Sequence, residues 1–180
     1  LLTGLLAGCG GGSRPTGIRT AETPADDVAE YQPRWRSHTV DSTQYRKVFL
    51  AGTIDMGRSA DWQAALVARF RDSIGGRWLF FNPRRREFHA SPAEMEYQVA
   101  WELAHLEAAD LIVMNLLGDS RSPISLLEMG LYARSGKLFV ACSPDYYRYD
   151  NVRITCRRYG VPLYDSLTAL LDDLPQQSDE

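Results

Sequence analysis

Lys47-Val48-Phe49-Leu50-Ala51-Gly52-Thr53 is the segment from which the fold class of this chain follows. Its short apolar run ends in glycine, which is typical of a buried parallel strand that leads into a functional loop. Similar runs occur at residues 78–82, 110–116, 137–142 and 161–164. Helical patterns separate these runs. Strands that alternate with helices predict right-handed crossovers and a parallel sheet covered on both faces.

The helical patterns complete this prediction. Asp61 is expected to cap the helix after the first strand, and further helices are expected over residues 92–108, 125–135 and 166–174. In the second helix, the spacing predicts a core-facing stripe of Val99, Leu103 and Leu106. The expected fold is a single flavodoxin- or Rossmann-like α/β domain over residues 45–175, with a mostly parallel sheet of about five strands flanked by helices.

The residues before this domain have a different composition. Residues 1–9 end in Leu6-Ala7-Gly8-Cys9, which resembles the bacterial lipobox, in which the cysteine is lipidated. Residues 10–44 are predicted to be a flexible linker, and residues 176–180 a disordered tail. The chain is therefore expected to be a lipoprotein anchored at Cys9 on the periplasmic or surface side of a membrane. The alternative is a cytoplasmic enzyme whose N-terminus is misassigned.

Composition limits the partners. The net charge of −3 gives no general basic field, which argues against a nucleic-acid polymer as partner. Cys9, Cys142 and Cys156 lack metal-ligand spacing, although a disulfide between Cys142 and Cys156 is open for an exported domain. No sequence motif indicates a metal site or a cofactor.

Ligands of such sheets bind at the carboxyl ends of the strands, where four polar loops are expected. They are residues 52–57, 82–86, 115–128 and 143–151. Arg84-Arg85-Arg86 in the second loop fits either bidentate phosphate binding or a solvated loop. The last loop is polar and aromatic, and it is placed to cover a pocket.

Ser122-Pro123-Ile124-Ser125-Leu126-Leu127-Glu128-Met129-Gly130 carries the sharpest functional signal. Ser122 suits a helix N-cap and Pro123 the first helical position. Glu128 follows among apolar neighbours, where a carboxylate is costly unless it is paired or used. Nearby helix N–H groups are expected to favour its ionised form, which a carboxylate nucleophile needs. The residues alone fit a glutamate on a solvated helix flank equally well.

Six segments of the chain occur in an order that points to one family. They are VFLAGTID (Val48–Asp55), DWQ (Asp61–Gln63), NPRR (Asn82–Arg85), QVAWEL (Gln98–Leu103), EAAD (Glu107–Asp110) and SPISLLEMG (Ser122–Gly130). Together they resemble the nucleoside 2-deoxyribosyltransferase-like branch of the deoxyribosyltransferase family. In that family a glutamate on the helix of the last segment attacks the anomeric carbon and forms a glycosyl-enzyme ester, and Glu128 matches it. An acid on the preceding helix protonates or deprotonates the base, and Glu102 matches that position.

The resemblance implies a nucleoside or nucleotide as substrate and no cofactor. Asn151 resembles a family asparagine that reaches the sugar or the nucleophile from a neighbouring subunit, which implies a homo-oligomer. Gln98 lies one turn before Glu102, so both side chains are expected at one pocket edge. The expected substrate-binding residues are Gly52, Thr53, Asp55, Trp62, Asn82, Arg84, Arg85, Gln98, Ser122, Ser125 and Asn151.

The sequence departs from the better-known transferases near the nucleophile. Those enzymes carry an aspartate that orients the sugar a few residues earlier, where this chain has Asp119, Ser122 and Ser125. Ser122 would be a neutral substitute. Three alternatives to a transferase therefore stay open: a nucleotide N-glycoside hydrolase, a non-catalytic nucleotide-binding module, and a surface lipoprotein that binds a partner or acts as an effector.

Overall fold

Five helices flank a seven-stranded sheet in the computed structural model, which describes residues 27–87 and 91–174. The sheet order is β2-β1-β4-β3-β5-β6-β7, and every neighbouring pair is parallel except β1 and β2. This confirms the predicted fold class. The strands are β1 (Val28–Gln32), β2 (Trp35–Arg36), β3 (Arg46–Gly52), β4 (Trp78–Phe81), β5 (Leu111–Leu116), β6 (Leu138–Cys142) and β7 (Leu163–Tyr164). The helices are α1 (Trp62–Ser73), α2 (Pro92–Ala108), α3 (Pro123–Tyr132), α4 (Tyr149–Tyr159) and α5 (Leu167–Asp173).

Strand β3 lies at the centre of the sheet, between β4 and β5. Its side chains alternate between the two faces, so they enter two separate cores. Phe49 and Ala51 pack in the core that α2, α3 and α4 cover, whereas Val48 and Leu50 pack in the core under α1 and α5. All four residues are at most 1% exposed. Burial on both faces explains why the strand is apolar at successive positions rather than at alternate ones.

The predicted linker over residues 10–44 is wrong from residue 28 onward. β1 pairs in parallel with β4, with Val28 opposite Trp78 and Tyr31 opposite Phe81, and β2 returns antiparallel beside it. Val28 and Ala29 are buried beneath this edge of the sheet. Pairing with β4 stabilises a segment whose local pattern is too short to signal a strand. The remaining N-terminal residues, including Cys9, and residues 175–180 lie outside the described residues.

Helix α4 replaces part of the polar loop predicted over residues 143–151. It begins at Tyr149, so Asn151 lies in its first turn rather than in a loop. Only Val152 and Cys156 of this helix are buried, one turn apart, while charged residues occupy much of the rest. The helix is strongly amphipathic, but it is polar on average, so its composition resembles that of a loop and the sequence analysis did not predict it.

Helix α2 presents a different face to the sheet from the one predicted. Leu106 is fully buried, but Val99 and Leu103 are 44% and 42% exposed. Trp101 packs against the core instead, and its ring stacks on His105 with the centroids 4.0 Å apart. The tryptophan has more apolar area to bury than the valine or the leucine, so its position determines how the helix is turned. The expected stripe is therefore wrong at two of its three positions.

Two further observations concern the cysteines and the helix lengths. Cys142 and Cys156 are both buried free thiols, so the disulfide that the sequence left open is not formed. Of the helices within residues 27–87 and 91–174, none combines the length and the apolar character needed to cross a membrane.

Candidate active site

A pocket opens at the carboxyl ends of β3, β4 and β5, between α2 and the loop that leads into α3. It consists of two adjoining cavities of about 340 Å³ and about 530 Å³. Glu128 lies in the smaller cavity, and Arg84, Arg85 and Arg86 bound the larger one. The residues that line both cavities are Ile54, Met56, Pro83, Met95, Gln98 and Glu102.

The two acids that the sequence singled out lie in this one pocket. Glu128 projects from α3 and is 8% exposed, and Glu102 projects from α2. Burial raises the pKa of Glu128 to about 8, and the negative charge of Glu102 acts in the same direction. Burial also raises the pKa of Glu102, against the opposing effects of a hydrogen bond from Gln98 and the charge of Arg85.

The expectation that helix N–H groups keep Glu128 ionised is wrong. Glu128 is the sixth residue of α3, counted from Pro123. At that depth the backbone N–H groups are already bonded within the helix, so they offer little to a carboxylate. Desolvation is the larger effect, and it favours the protonated acid.

A chain of hydrogen bonds holds Glu102. Its Oε1 accepts a hydrogen bond from Gln98 Nε2 at 2.6 Å, and Gln98 Nε2 also donates to the Pro83 carbonyl at 3.0 Å. Arg85 Nε donates to Gln98 Oε1 at 2.5 Å, and Arg85 Nη1 donates to Glu94 Oε2 at 2.7 Å. Gln98 and Glu102 thus share one pocket edge, as their spacing on α2 predicted.

Hydroxyl groups form a second cluster, beside the start of α3. The Oγ of Ser122 lies 2.7 Å from Thr53 Oγ1 and 2.8 Å from Ser120 Oγ, which in turn donates to Asp55 Oδ1 at 2.9 Å. Ser122 is the N-cap residue and Pro123 the first helical residue, as predicted, but the Ser122 side chain makes no capping bond. Its φ of 40° is left-handed, and its hydroxyl joins the cluster instead.

Ser120, which links Asp55 to Ser122, was not singled out in the sequence analysis. It is a small polar residue in a loop rich in such residues, and only the fold shows that it is buried and bonded to both. Asp55 and Met56 both have positive φ, at 48° and 54°. Backbone strain of this kind is concentrated at ligand sites.

Only glycine fits at position 52, because a side chain there would collide with the neighbouring strand. It has a φ of 126°, and a Cβ there would lie 2.2 Å from the carbonyl oxygen of Asn115. The ends of β3 and β5 therefore approach more closely than any side chain permits. Ser125 is 4% exposed and lines the smaller cavity one turn before Glu128.

Four of the residues expected to bind substrate are engaged in supporting the loops. Trp62 Nε1 donates to the Thr53 carbonyl at 2.8 Å, and Asn82 Nδ2 donates to Glu30 Oε1 at 2.8 Å. Neither residue lines the pocket. Arg84 donates to the carbonyl oxygens of Gly57, Ser59 and Ala60, and Arg85 is paired with Glu94. Both arginines line the larger cavity, yet their guanidinium groups already bind protein acceptors.

Asn151 does not line the pocket that holds the two acids of its own chain. It is exposed on α4 and lines a separate cavity together with Met129, Gly130 and Arg148. Across residues 27–87 and 91–174, no cluster of three histidine, cysteine or acidic side chains has a geometry that would hold a metal ion.

The fold and the pocket define a Rossmann-like α/β protein with a pair of carboxylates at the carboxyl edge of its sheet. A family model described as "Nucleoside 2-deoxyribosyltransferase like" matches residues 45–146, and the chain belongs to this family. This confirms the resemblance found in the sequence.

Comparison with solved structures supports the fold. A protein described as "conserved protein from Enterococcus faecalis V583" superimposes with a TM-score of 0.54 at 15% sequence identity. The match covers 74% of this chain and 99% of that one. At this identity the likeness concerns the fold alone. No curated protein sequence matches this chain.

Replacement of Glu128 by glutamine should stabilise the protein at alkaline pH. The folded state holds Glu128 with a pKa of about 8, above the usual value of 4.5, so it favours the protonated acid. The stability gained from this preference is fully present below about pH 4.5 and is lost as pH rises through 8. Urea unfolding gives the free energy of unfolding of Glu128→Gln and of the native chain. The variant's advantage over the native chain should be larger at pH 8.5 than at pH 5, by on the order of 3 kcal/mol.

The control for this comparison is Glu96→Gln, which neutralises an exposed acid on α2. It should shift the stability equally at both pH values. If Glu128→Gln behaves like Glu96→Gln, Glu128 is not desolvated in the folded protein.

Proposed function

We propose that this protein cleaves or transfers the N-glycosidic bond of a nucleoside through a covalent ester on Glu128. The observation that carries this proposal is that two carboxylates, the half-buried Glu102 and the buried Glu128, line the same cavity. Double displacement at an anomeric carbon needs one carboxylate as nucleophile and a second group to move the proton. Membership of the nucleoside 2-deoxyribosyltransferase-like family supports a nucleoside as the substrate class.

The reaction begins with attack of the Glu128 carboxylate on the anomeric carbon. The bond between this carbon and the base nitrogen breaks, its electron pair stays with the base, and Glu102 gives a proton to the departing base. A second base, or water, then attacks the same carbon and gives its proton to Glu102. The ester bond breaks and returns the electron pair to Glu128.

Protonation sets a condition on the first step, because only ionised Glu128 attacks. The raised pKa of Glu128 means that much of it holds a proton near neutral pH. A pair with Glu128 ionised and Glu102 protonated has the same total charge as the reverse arrangement. The reactive form therefore arises when the proton redistributes within the pair, without net release to solvent.

The sugar is proposed to lie against the hydroxyl cluster. Ser122 and Ser125 line the cavity that holds Glu128. Ser122 is joined to Thr53, and through Ser120 to the Asp55 carboxylate. These groups match a polyol better than a phosphate. A nucleoside is favoured over a nucleotide because the guanidinium groups of Arg84 and Arg85 already have protein partners.

Turnover should appear when the full chain is incubated with a panel of deoxynucleosides, ribonucleosides and nucleotides, with and without free bases. We expect chromatography to show base release or exchange with the native chain, and a loss of at least about 1,000-fold with Glu128→Ala. Dependence on an acceptor base identifies a transferase, and release in its absence identifies a hydrolase. A folded native chain that turns over none of these substrates, but binds them, would instead be a nucleotide-binding module.

We further propose that a second copy of this chain covers an apolar face beside the pocket. Met95, Val99 and Leu103 are exposed on α2, and Ile124, Leu127 and Leu131 are exposed on α3. An apolar patch of this kind is typical of an interface. Met95, Val99 and Ile124 also line the smaller cavity, so the partner would complete its wall. The position of Asn151 outside the pocket of its own chain fits a role in a neighbouring subunit.

Light scattering after size exclusion should therefore give the mass of a dimer or a larger assembly for the native chain. Leu127→Glu places a charge in the apolar face and should give a monomer with an unchanged circular dichroism spectrum. Ala65→Glu places the same charge on exposed α1, on the opposite side of the sheet, and should leave the assembly intact. A monomeric native chain would contradict this proposal.

We also propose a lipid anchor at Cys9, supported by the Leu6-Ala7-Gly8-Cys9 motif, which lies outside the described residues. Mass spectrometry of the chain recovered from bacterial membranes should find a lipid thioether at this cysteine, and Cys9→Ala should lose it. An unmodified Cys9 in the soluble fraction would support the cytoplasmic alternative.

A further inference from the structure

We propose that Arg85 and Gln98 are positioning residues that hold Glu102 in place and determine which of its oxygens carries the proton in the reaction. This inference rests on the proposed function, because it assigns the acid–base role to Glu102. It differs from the expectation drawn from the sequence, in which Arg85 and Gln98 both bind the substrate.

The orientation of the Gln98 amide is the first step. An amide has an accepting oxygen and a donating nitrogen, and an arginine side chain can only donate. Arg85 Nε lies 2.5 Å from Gln98 Oε1, so this atom must be the oxygen. The carbonyl of Pro83 can only accept, and it lies 3.0 Å from Gln98 Nε2. Two independent partners therefore fix the amide in the same orientation.

The orientation of the Gln98 amide determines which oxygen of Glu102 accepts a hydrogen bond. Gln98 Nε2 lies 2.6 Å from Glu102 Oε1, and in this orientation Gln98 donates. Glu102 Oε1 must therefore accept, whether or not the acid is protonated. When Glu102 takes up a proton, it takes it on Oε2. The amide thus restricts proton exchange with the base to one oxygen of this carboxyl group.

An ion pair with Glu94 holds the Arg85 side chain in place. This side chain is 8% exposed, and Nη1 donates to Glu94 Oε2 at 2.7 Å. Glu94 also accepts from Arg34, which belongs to the turn between β1 and β2. A small molecule that bound the Arg85 guanidinium would have to displace Glu94 from an ion pair in which the arginine side chain is buried. This favours a positioning role over direct contact with substrate.

The charges around Glu102 make the pocket asymmetric. Arg85 faces Glu102 from the loop after β4, Gln98 from one turn earlier on α2, and Glu128 from α3. Burial raises the pKa of Glu102, and Gln98 and Arg85 oppose this rise, whereas burial and the charge of Glu102 both raise the pKa of Glu128. We therefore expect Glu102 to ionise before Glu128, so that the proton passes from Glu128 to Glu102 before Glu128 attacks.

The test is a titration of the two acids in the full chain. Carbon-13 NMR of glutamate carboxyl groups, assigned with Glu102→Gln and Glu128→Gln, follows each ionisation without any need for turnover. The native chain should show Glu102 ionising before Glu128. Gln98→Met keeps the length of the side chain and removes the donor, and it should raise the pKa of Glu102 by about one unit or more. Arg71→Gln, an exposed position on α1, should leave both titrations unchanged.

Kinetics with the nucleoside that the native chain turns over give the second readout. Gln98→Met should lower kcat roughly 10- to 100-fold and move the acid limb of its pH profile upward, with KM within about threefold. Arg85→Gln should change kcat and the pH profile in the same direction. If Arg85→Gln does not fold, Gln98→Met alone carries the test, since it leaves the pair of Arg85 and Glu94 intact.

Two results would overturn the positioning role. One is a pKa of Glu102 that Gln98→Met leaves unchanged. The other is a KM raised more than about tenfold with kcat and the pH profile unchanged, which would identify Gln98 as a substrate contact. Failure of the native chain to turn over nucleosides would count against the proposed function instead, and the NMR titration would still decide whether Arg85 and Gln98 hold Glu102.

Discussion

Two carboxylates in one poorly hydrated pocket cannot both be charged without a large cost in free energy, and the site is organised around this constraint. Burial and the negative charge of Glu102 both oppose the ionisation of Glu128. Burial raises the pKa of Glu102 as well, but Gln98 and Arg85 oppose this rise. We therefore expect Glu128 to hold the proton and Glu102 the negative charge in the resting pair. The proposed first step needs the reverse arrangement, so the proton has to pass from Glu128 to Glu102 before the attack.

The fold explains how these two acids come to meet. β3 and β5 end side by side, and Gly52 lets their backbones approach until a Cβ would collide with the Asn115 carbonyl. The loop after β5 then turns through the left-handed Ser122 into α3, which places Glu128 opposite α2. The pocket lies where parallel sheets of this kind bind small molecules.

Much of this could be predicted from the sequence. The long apolar runs gave five of the seven strands, and the paired positions of Gln98 and Glu102 on one helix gave an edge of the pocket. β1 was not predicted because it depends on pairing with β4. α4 was missed although its pattern is strongly amphipathic, because the segment is polar on average. The face that α2 turns toward the sheet was also predicted wrongly. Periodicity alone does not show that Trp101 packs against the core while Val99 is exposed.

The sequence analysis predicted the two acids of the site, but not the roles of the residues that hold the surrounding loops in place. Glu102 and Glu128 were found through the resemblance to a family, whereas Arg84 and Arg85 were expected to bind an anion because they form a basic run after a strand. The structure pairs their side chains with protein acceptors, which no local pattern reveals. Ser122 was expected to cap α3. Its hydroxyl instead forms hydrogen bonds with Thr53 and Ser120, which the local sequence does not reveal.

The central claim is that Glu128 forms a covalent bond to the sugar, and trapping that ester tests it most directly. The full chain would be incubated with a 2-fluoro-substituted nucleoside, which slows breakdown of the ester, and then digested and sequenced by mass spectrometry. The account predicts that the peptide containing Glu128 gains the mass of the sugar as the base is released. Release of the base with no adduct, or with the sugar on another residue, would contradict it.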